Sequence, residues 1–196
     1  MQEDGSENTM GANSRVVQSE RTKKLILSAL FLAVGIMLPF ITMQIPTIGN
    51  MLCPMHIPVI LCGFVCGGPY GLVVGLMTPL VRSVLTGFPA LYPNALSMAV
   101  ELAVYGGLTG VLYPKATKRV KEVPAIYMTL LIAMVSGRIA WGVVSFVLFQ
   151  IVGNVFTWQI FTAQAFLNAV PGIAVQLVLI PAVVRQLQKA GRGAGR

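Results

Sequence analysis

Long apolar runs, broken at intervals by basic segments, constrain this chain more than any other feature. Six such runs follow residue 24: residues 25–41, 55–66, 70–86, 94–113, 125–152 and 158–184. Most are closed by turn-forming residues, such as Pro39, Gly67-Gly68-Pro69 and Gly87-Phe88-Pro89, and the last gives way to the basic tail from Arg185. Continuous runs near twenty residues predict membrane-spanning helices. They exclude a membrane β-barrel, whose strands show ten-residue alternation instead. A hydrophobic content of 56% and only 10% charged residues exclude an ordinary soluble domain or a disordered chain.

The second run is short. Twelve residues rise only about 18 Å, against a hydrocarbon core of about 30 Å. Charge asymmetry decides whether it counts. Apart from Arg82 and Arg138, every Lys and Arg lies in the N-terminal segment, the 114–124 loop or the C-terminal tail. Loops 42–54, 87–93 and 153–157 hold none. Basic segments favour the cytoplasm. All three share that side only if four spans precede the 114–124 loop and two follow it. The expectation is an all-α membrane protein of six transmembrane helices with both termini cytoplasmic. Residues 1–24 form a polar cytoplasmic tail, 25–184 the membrane domain and 185–196 a basic cytoplasmic tail. The second helix is short or extends backward into residues 48–54. No secretory cleavage signal follows the first run, so it is expected to be retained.

The net charge of +8 therefore belongs to membrane-flanking segments, and nucleic acid is not expected as a partner. Three cysteines are too few for a disulfide framework. Cys62 and Cys66 read as helix-packing thiols. Cys53-x-x-His56 lacks the further ligands of a zinc site, and no metal or other cofactor is expected in this chain. A phosphate-binding G-x-x-x-x-G-K-[ST] loop is missing, so ATP hydrolysis has no place here.

Arg82, Glu101 and Arg138 lie inside the predicted spans. Each costs about 2.5–3.5 kcal/mol at a helix centre, which favours burial among partners. Glu101 lies about 10 Å below the outer surface, counted from Asn94, and Arg138 about 21 Å above the inner one. Arg82 lies near the outer end of its helix, so all three converge on the outer half. Asn94, Ser97, Glu101 and Tyr105 share a helical face, as do Thr78 and Arg82, then Arg138, Trp141 and Ser145, and finally Gln164 and Asn168. Four polar faces predict a partly hydrated pocket open to the outside. Its candidate ligand contacts are Arg82, Asn94, Glu101, Tyr105, Arg138, Trp141, Gln164 and Asn168, with His56 at the start of the second helix. Arg, Asn and Gln fork onto carboxylates or heteroaromatic edges, and Trp and Tyr stack on rings. A Glu101–Arg138 salt bridge that merely fixes packing is the competing reading for that pair. The pairs Ala29/Ala33, Gly71/Gly75 and Gly106/Gly110 have the spacing of close helix approach.

The chain resembles the substrate-binding S components of the energy-coupling factor (ECF) vitamin transporters over about residues 22–188. The resemblance rests on Ser28-Ala29-Leu30-Phe31-Leu32-Ala33, Pro54-Met55-His56-Ile57-Pro58, Cys62-Gly63 and Gly67-Gly68-Pro69-Tyr70-Gly71. Leu91-Tyr92-Pro93-Asn94 and Glu101-Leu102-Ala103-x-Tyr105-Gly106 also look like that family. It implies a multi-pass protein of a prokaryotic plasma membrane that captures a small water-soluble vitamin or precursor at the outer side. The ligand would sit under residues 42–54, against helices four to six. Ala29 and Ala33 would face a coupling transmembrane subunit, and two ATPase subunits would hydrolyse ATP. The S component would topple in the bilayer to deliver its ligand. Pantothenate, pyridoxine, a hydroxymethylpyrimidine and a folate fit the polar ring about equally. A self-sufficient secondary carrier or channel is the alternative. A membrane-embedded enzyme is disfavoured by a single intramembrane carboxylate and no nucleophile–base pair.

Overall fold

The computed structural model describes residues 4–42, 54–151 and 170–193, and those residues are almost wholly helical. They form six α-helices: α1 (Asp4–Thr42), α2 (His56–Cys66), α3 (Gly68–Thr86), α4 (Leu96–Ala116), α5 (Glu122–Ile151) and α6 (Val170–Gly193). A five-residue π-helical turn, Leu91–Ala95, leads into α4. Among the described residues four helical stretches are long and apolar enough to cross a membrane: Arg15–Phe40, Gly68–Thr86, Leu91–Ala116 and Glu122–Ile151. The first half of the sixth predicted run, with the loop before it, lies outside the described residues, as do residues 43–53.

Both predicted tails are helical where described. α1 begins at Asp4, and α6 carries Arg185, Lys189 and Arg192 to Gly193. Residues 185–190 are good helix formers without Pro or Gly, so nothing in the sequence stops α6 at the first charge.

Side-chain size sorts the helix faces. On α5 the buried positions include Ala125, Thr129, Ala133, Gly137, Gly142 and Ser145, and the exposed ones Leu131, Ile132, Val135, Ile139, Val143 and Phe146. Ile126, Leu130 and Met134 are buried as well, but small groups dominate the inner face, as suits helices in lipid, which associate by close packing rather than by excluding water. α3 repeats the pattern, exposing Leu72, Val73, Leu76 and Met77.

α3 and α4 cross through glycines. A Cβ on Gly71 would strike the Gly106 carbonyl, one on Gly75 the Leu102 carbonyl, and one on Gly110 the backbone of Gly67 and Gly68. The two glycine pairs are thus an intramolecular antiparallel crossing. The α2–α3 turn depends on Gly67, whose φ of +100° disfavours any residue with a Cβ.

α2 is the central element. His56 through Gly63 are all buried, as is Cys66. Its eleven residues rise about 16 Å, near half the hydrocarbon thickness. Cys62 contacts Ser28 of α1 at 3.7 Å, and Thr109 of α4 reaches the Ile60 carbonyl at 3.5 Å. The helix therefore packs in the half of the bundle nearest the basic segments, with His56 at its start. Near the basic end Gln188 of α6 bonds the Tyr113 hydroxyl of α4, and Phe64 packs edge-on against the Tyr113 ring.

Candidate functional site

The carboxylate of Glu101, 2% exposed, is the centre of the site. It accepts a hydrogen bond from the Tyr105 hydroxyl at 2.7 Å, one helical turn along α4. Arg138 of α5 approaches the same oxygen to 3.2 Å, and His56 Nε2 lies 3.8 Å from it. The His56 and Tyr105 rings are tilted at 52° with centroids 5.5 Å apart. Four residues from α2, α4 and α5 thus meet at one depth. A buried charge requires such company: removing the partner of a buried ion costs about 3–5 kcal/mol.

Gly137 makes this geometry possible. A Cβ there would run into the Tyr105 ring. Without it, Tyr105 lies flush on α5, and the next residue, Arg138, turns to Glu101. Cross-helix contacts fix the register of α4 against α5. Tyr92 donates to the Leu148 carbonyl at 3.2 Å toward one end, and Arg138 meets Glu101 ten residues back. Trp141, half-buried, and Ser145, fully buried, lie between those two contacts.

The predicted site residues divide into three groups. Glu101, Tyr105, Arg138 and His56 are brought together by direct contacts. His56 joins them because α2 begins beside Glu101. Arg82 is buried on α3, one turn beyond the fully buried Thr78. Asn94 is exposed, away from the buried face that Ser97, Glu101 and Tyr105 share. Asn94 lies at the start of the helical stretch, two residues after the kink at Tyr92 (φ −123°, ψ +133°), where the buried face has not yet begun. Gln164 and Asn168 lie outside the described residues, as does Cys53.

Three further residues belong to this region. Gly137 could have been found as a glycine beside an intramembrane arginine. Gln176 of α6 is 2% exposed. It lies twelve residues before Gln188, as Glu101 lies twelve before Tyr113. The Gln188–Tyr113 bond therefore places Gln176 and Glu101 at similar depth, each about 18 Å from it. The Ser145 hydroxyl is buried and makes no hydrogen bond, a state that costs about 1–3 kcal/mol. Among the described residues no group of three His, Cys, Asp or Glu side chains could hold a metal ion.

On the opposite side of α1, Ala29 and Ala33 are exposed, flanked by exposed Leu25, Ile26, Leu30 and Met37. The buried side of α1 carries Ser28 and Gly35, and a Cβ at Gly35 would touch Thr78 of α3.

These features define a multi-pass helical membrane protein with a polar cluster held inside the bundle. Residues 23–190 match the family described as ECF transporter, substrate-specific component. The match covers most of the chain, and the protein belongs to that family. It is therefore the substrate-binding part of a transporter and not an enzyme, and its partners are a coupling membrane subunit and ATPases. No curated protein and no solved structure matches the chain.

Proposed function

We propose that this protein captures a small water-soluble vitamin, or a vitamin precursor, at the extracellular side of a prokaryotic plasma membrane. The observation that carries this reading is the depth at which α2 ends. From His56 toward the basic end the bundle is closed by apolar side chains and by glycine-mediated crossings. Toward the other end the elements around the cluster present Arg138, Trp141, Ser145 and Arg82. Polar groups concentrated in one half of a membrane bundle mark a path for a polar solute.

The orientation follows from charge. The start of α1, the α4–α5 loop and the end of α6 carry the basic residues and lie at the same end, which is the cytoplasmic one by the positive-inside preference. The candidate site then faces outward. Arg138 and Arg82 against Glu101 leave a surplus positive charge, which suits a ligand with an anionic group. Trp141 offers a surface for a ring. The remaining candidates, Asn94, Gln164 and Asn168, are proposed to complete the mouth of the site.

Delivery is assigned to the partners. Ala29 and Ala33 lie on an exposed apolar face of α1, and small residues there let a coupling helix approach closely. ATP hydrolysis is placed in two ATPase subunits, and this chain needs no cofactor of its own. Equilibrium binding tests the reading. Purified protein is expected to bind a B-group vitamin with submicromolar affinity, and failure to bind any member of such a panel contradicts it.

A further inference from the structure

We propose that the Ser145 hydroxyl is a ligand contact that selects molecules with a second polar group, away from the part held near Arg138. The inference rests on the capture reading above and adds to it a residue and a ligand shape. Ser145 is 0% exposed and its hydroxyl has no hydrogen-bond partner. That is unusual for a serine in a helix, which ordinarily donates to the carbonyl four residues back. Ser28, Thr78, Ser97 and Thr109 of this chain all do so, at 2.6–3.0 Å. A buried hydroxyl that forgoes that bond can meet an acceptor or donor that arrives later, and its place in the bundle decides whether one reaches it.

Its position supports this. Ser145 lies seven residues from Arg138, so the two share a face of α5 and are offset by about 10 Å along it. Trp141 lies between them. The stretch is bounded on one side by the Arg138–Glu101 pair and on the other by the Tyr92–Leu148 bond, three residues beyond Ser145. An elongated ligand fits that stripe: one anionic or amide end toward Arg138, a ring or apolar middle against Trp141, and a carbonyl, hydroxyl or ring nitrogen at Ser145.

Thr129 supplies the control. It is also buried, and its hydroxyl also lacks a partner, but it lies sixteen residues before Ser145 on α5, about 24 Å toward the basic end. The experiment measures binding of a panel of water-soluble B-group vitamins, including pantothenate, pyridoxine, hydroxymethylpyrimidine and folate, together with thermal unfolding of the ligand-free proteins. Ser145→Ala is expected to weaken the vitamin that the wild type binds by about tenfold or more, without lowering the unfolding temperature of the free protein. Ser145→Cys, which keeps the volume and offers only a weak donor, is expected to fall between the two. Thr129→Val is expected to bind like the wild type. Ser145→Ala and Ser145→Cys binding within twofold of the wild type overturns the proposal, and so does an equal loss in Thr129→Val. Both leave the capture reading intact. A wild type that binds no vitamin in the panel overturns that reading and this inference with it.

Discussion

The Glu101 carboxylate has lost nearly all its water, and Tyr105 and Arg138 make the bonds that water would have made. The cluster is therefore structural, and in the capture reading it serves the ligand site as well. Arg138→Ala leaves Glu101 buried without its nearest cation and is expected to cost about 3–5 kcal/mol of stability. Adding Glu101→Gln to that variant removes the stranded charge and is expected to restore a large part of the loss. Thermal unfolding in detergent of the two single variants and the double variant measures this coupling; additive losses contradict it. Tyr105→Phe keeps the ring against Gly137 but deletes the bond to Glu101, and is expected to cost about 1.5–3 kcal/mol. Most of this cluster was legible in the sequence. An acid and a base within apolar runs must meet, and counting residues from each helix end put Glu101 and Arg138 in the same half of the bilayer. The role of Gly137 was not legible. It depends on which face of α5 meets the Tyr105 ring, a matter of helix rotation that spacing along one helix leaves open.

At the scale of elements, two helices set the position of the site. α3 and α4 come close enough to bury Arg82 and Glu101 because their glycines remove the Cβ atoms between them. Gly71→Ala is expected to force the backbones apart and to cost about 1–3 kcal/mol, since the obstacle is the Gly106 carbonyl rather than a flexible side chain. Gly107→Ala, whose added Cβ would meet only the Leu72 side chain at 3.6 Å, is expected to be neutral in the same unfolding assay. The short second helix was correctly anticipated from charge asymmetry, because only an even number of spans puts every basic segment on one side. What the sequence could not convey is that the short helix begins, at His56, beside Glu101 and Tyr105. The departure at Asn94 has a local cause. The chain kinks at Tyr92, just before Pro93, so Asn94 sits in the exposed first turn of the helix rather than on its buried face.

For the whole molecule, the two ends differ in charge and the two sides of α1 differ in chemistry. The first difference predicts topology. In intact cells and with Cys53→Ser, Cys62→Ser and Cys66→Ser also in place, Phe88→Cys is expected to react with an impermeant thiol reagent from outside, and Lys118→Cys only after the membrane is opened. Reversed labelling contradicts the proposed orientation. The second difference predicts assembly. Ala29→Trp or Ala33→Trp is expected to abolish co-purification with the coupling subunit while vitamin binding by the isolated chain survives, because both residues lie on the exposed face of α1, away from Glu101. Loss of binding together with loss of assembly contradicts that separation of surfaces. Six helices, four of them long and apolar enough to cross a membrane among the described residues, and the membrane setting could be read directly from apolar runs and basic gaps. The occupant of the site could not, because amides, cations and rings satisfy several vitamins equally.

Native mass spectrometry of the freshly purified protein tests the capture claim most directly. The wild type is expected to carry an adduct with the mass of a B-group vitamin or its precursor, and Arg138→Ala, still helical by circular dichroism, is expected to have lost it. A bare wild type that takes up no added vitamin, or an adduct kept undiminished by Arg138→Ala, contradicts the account.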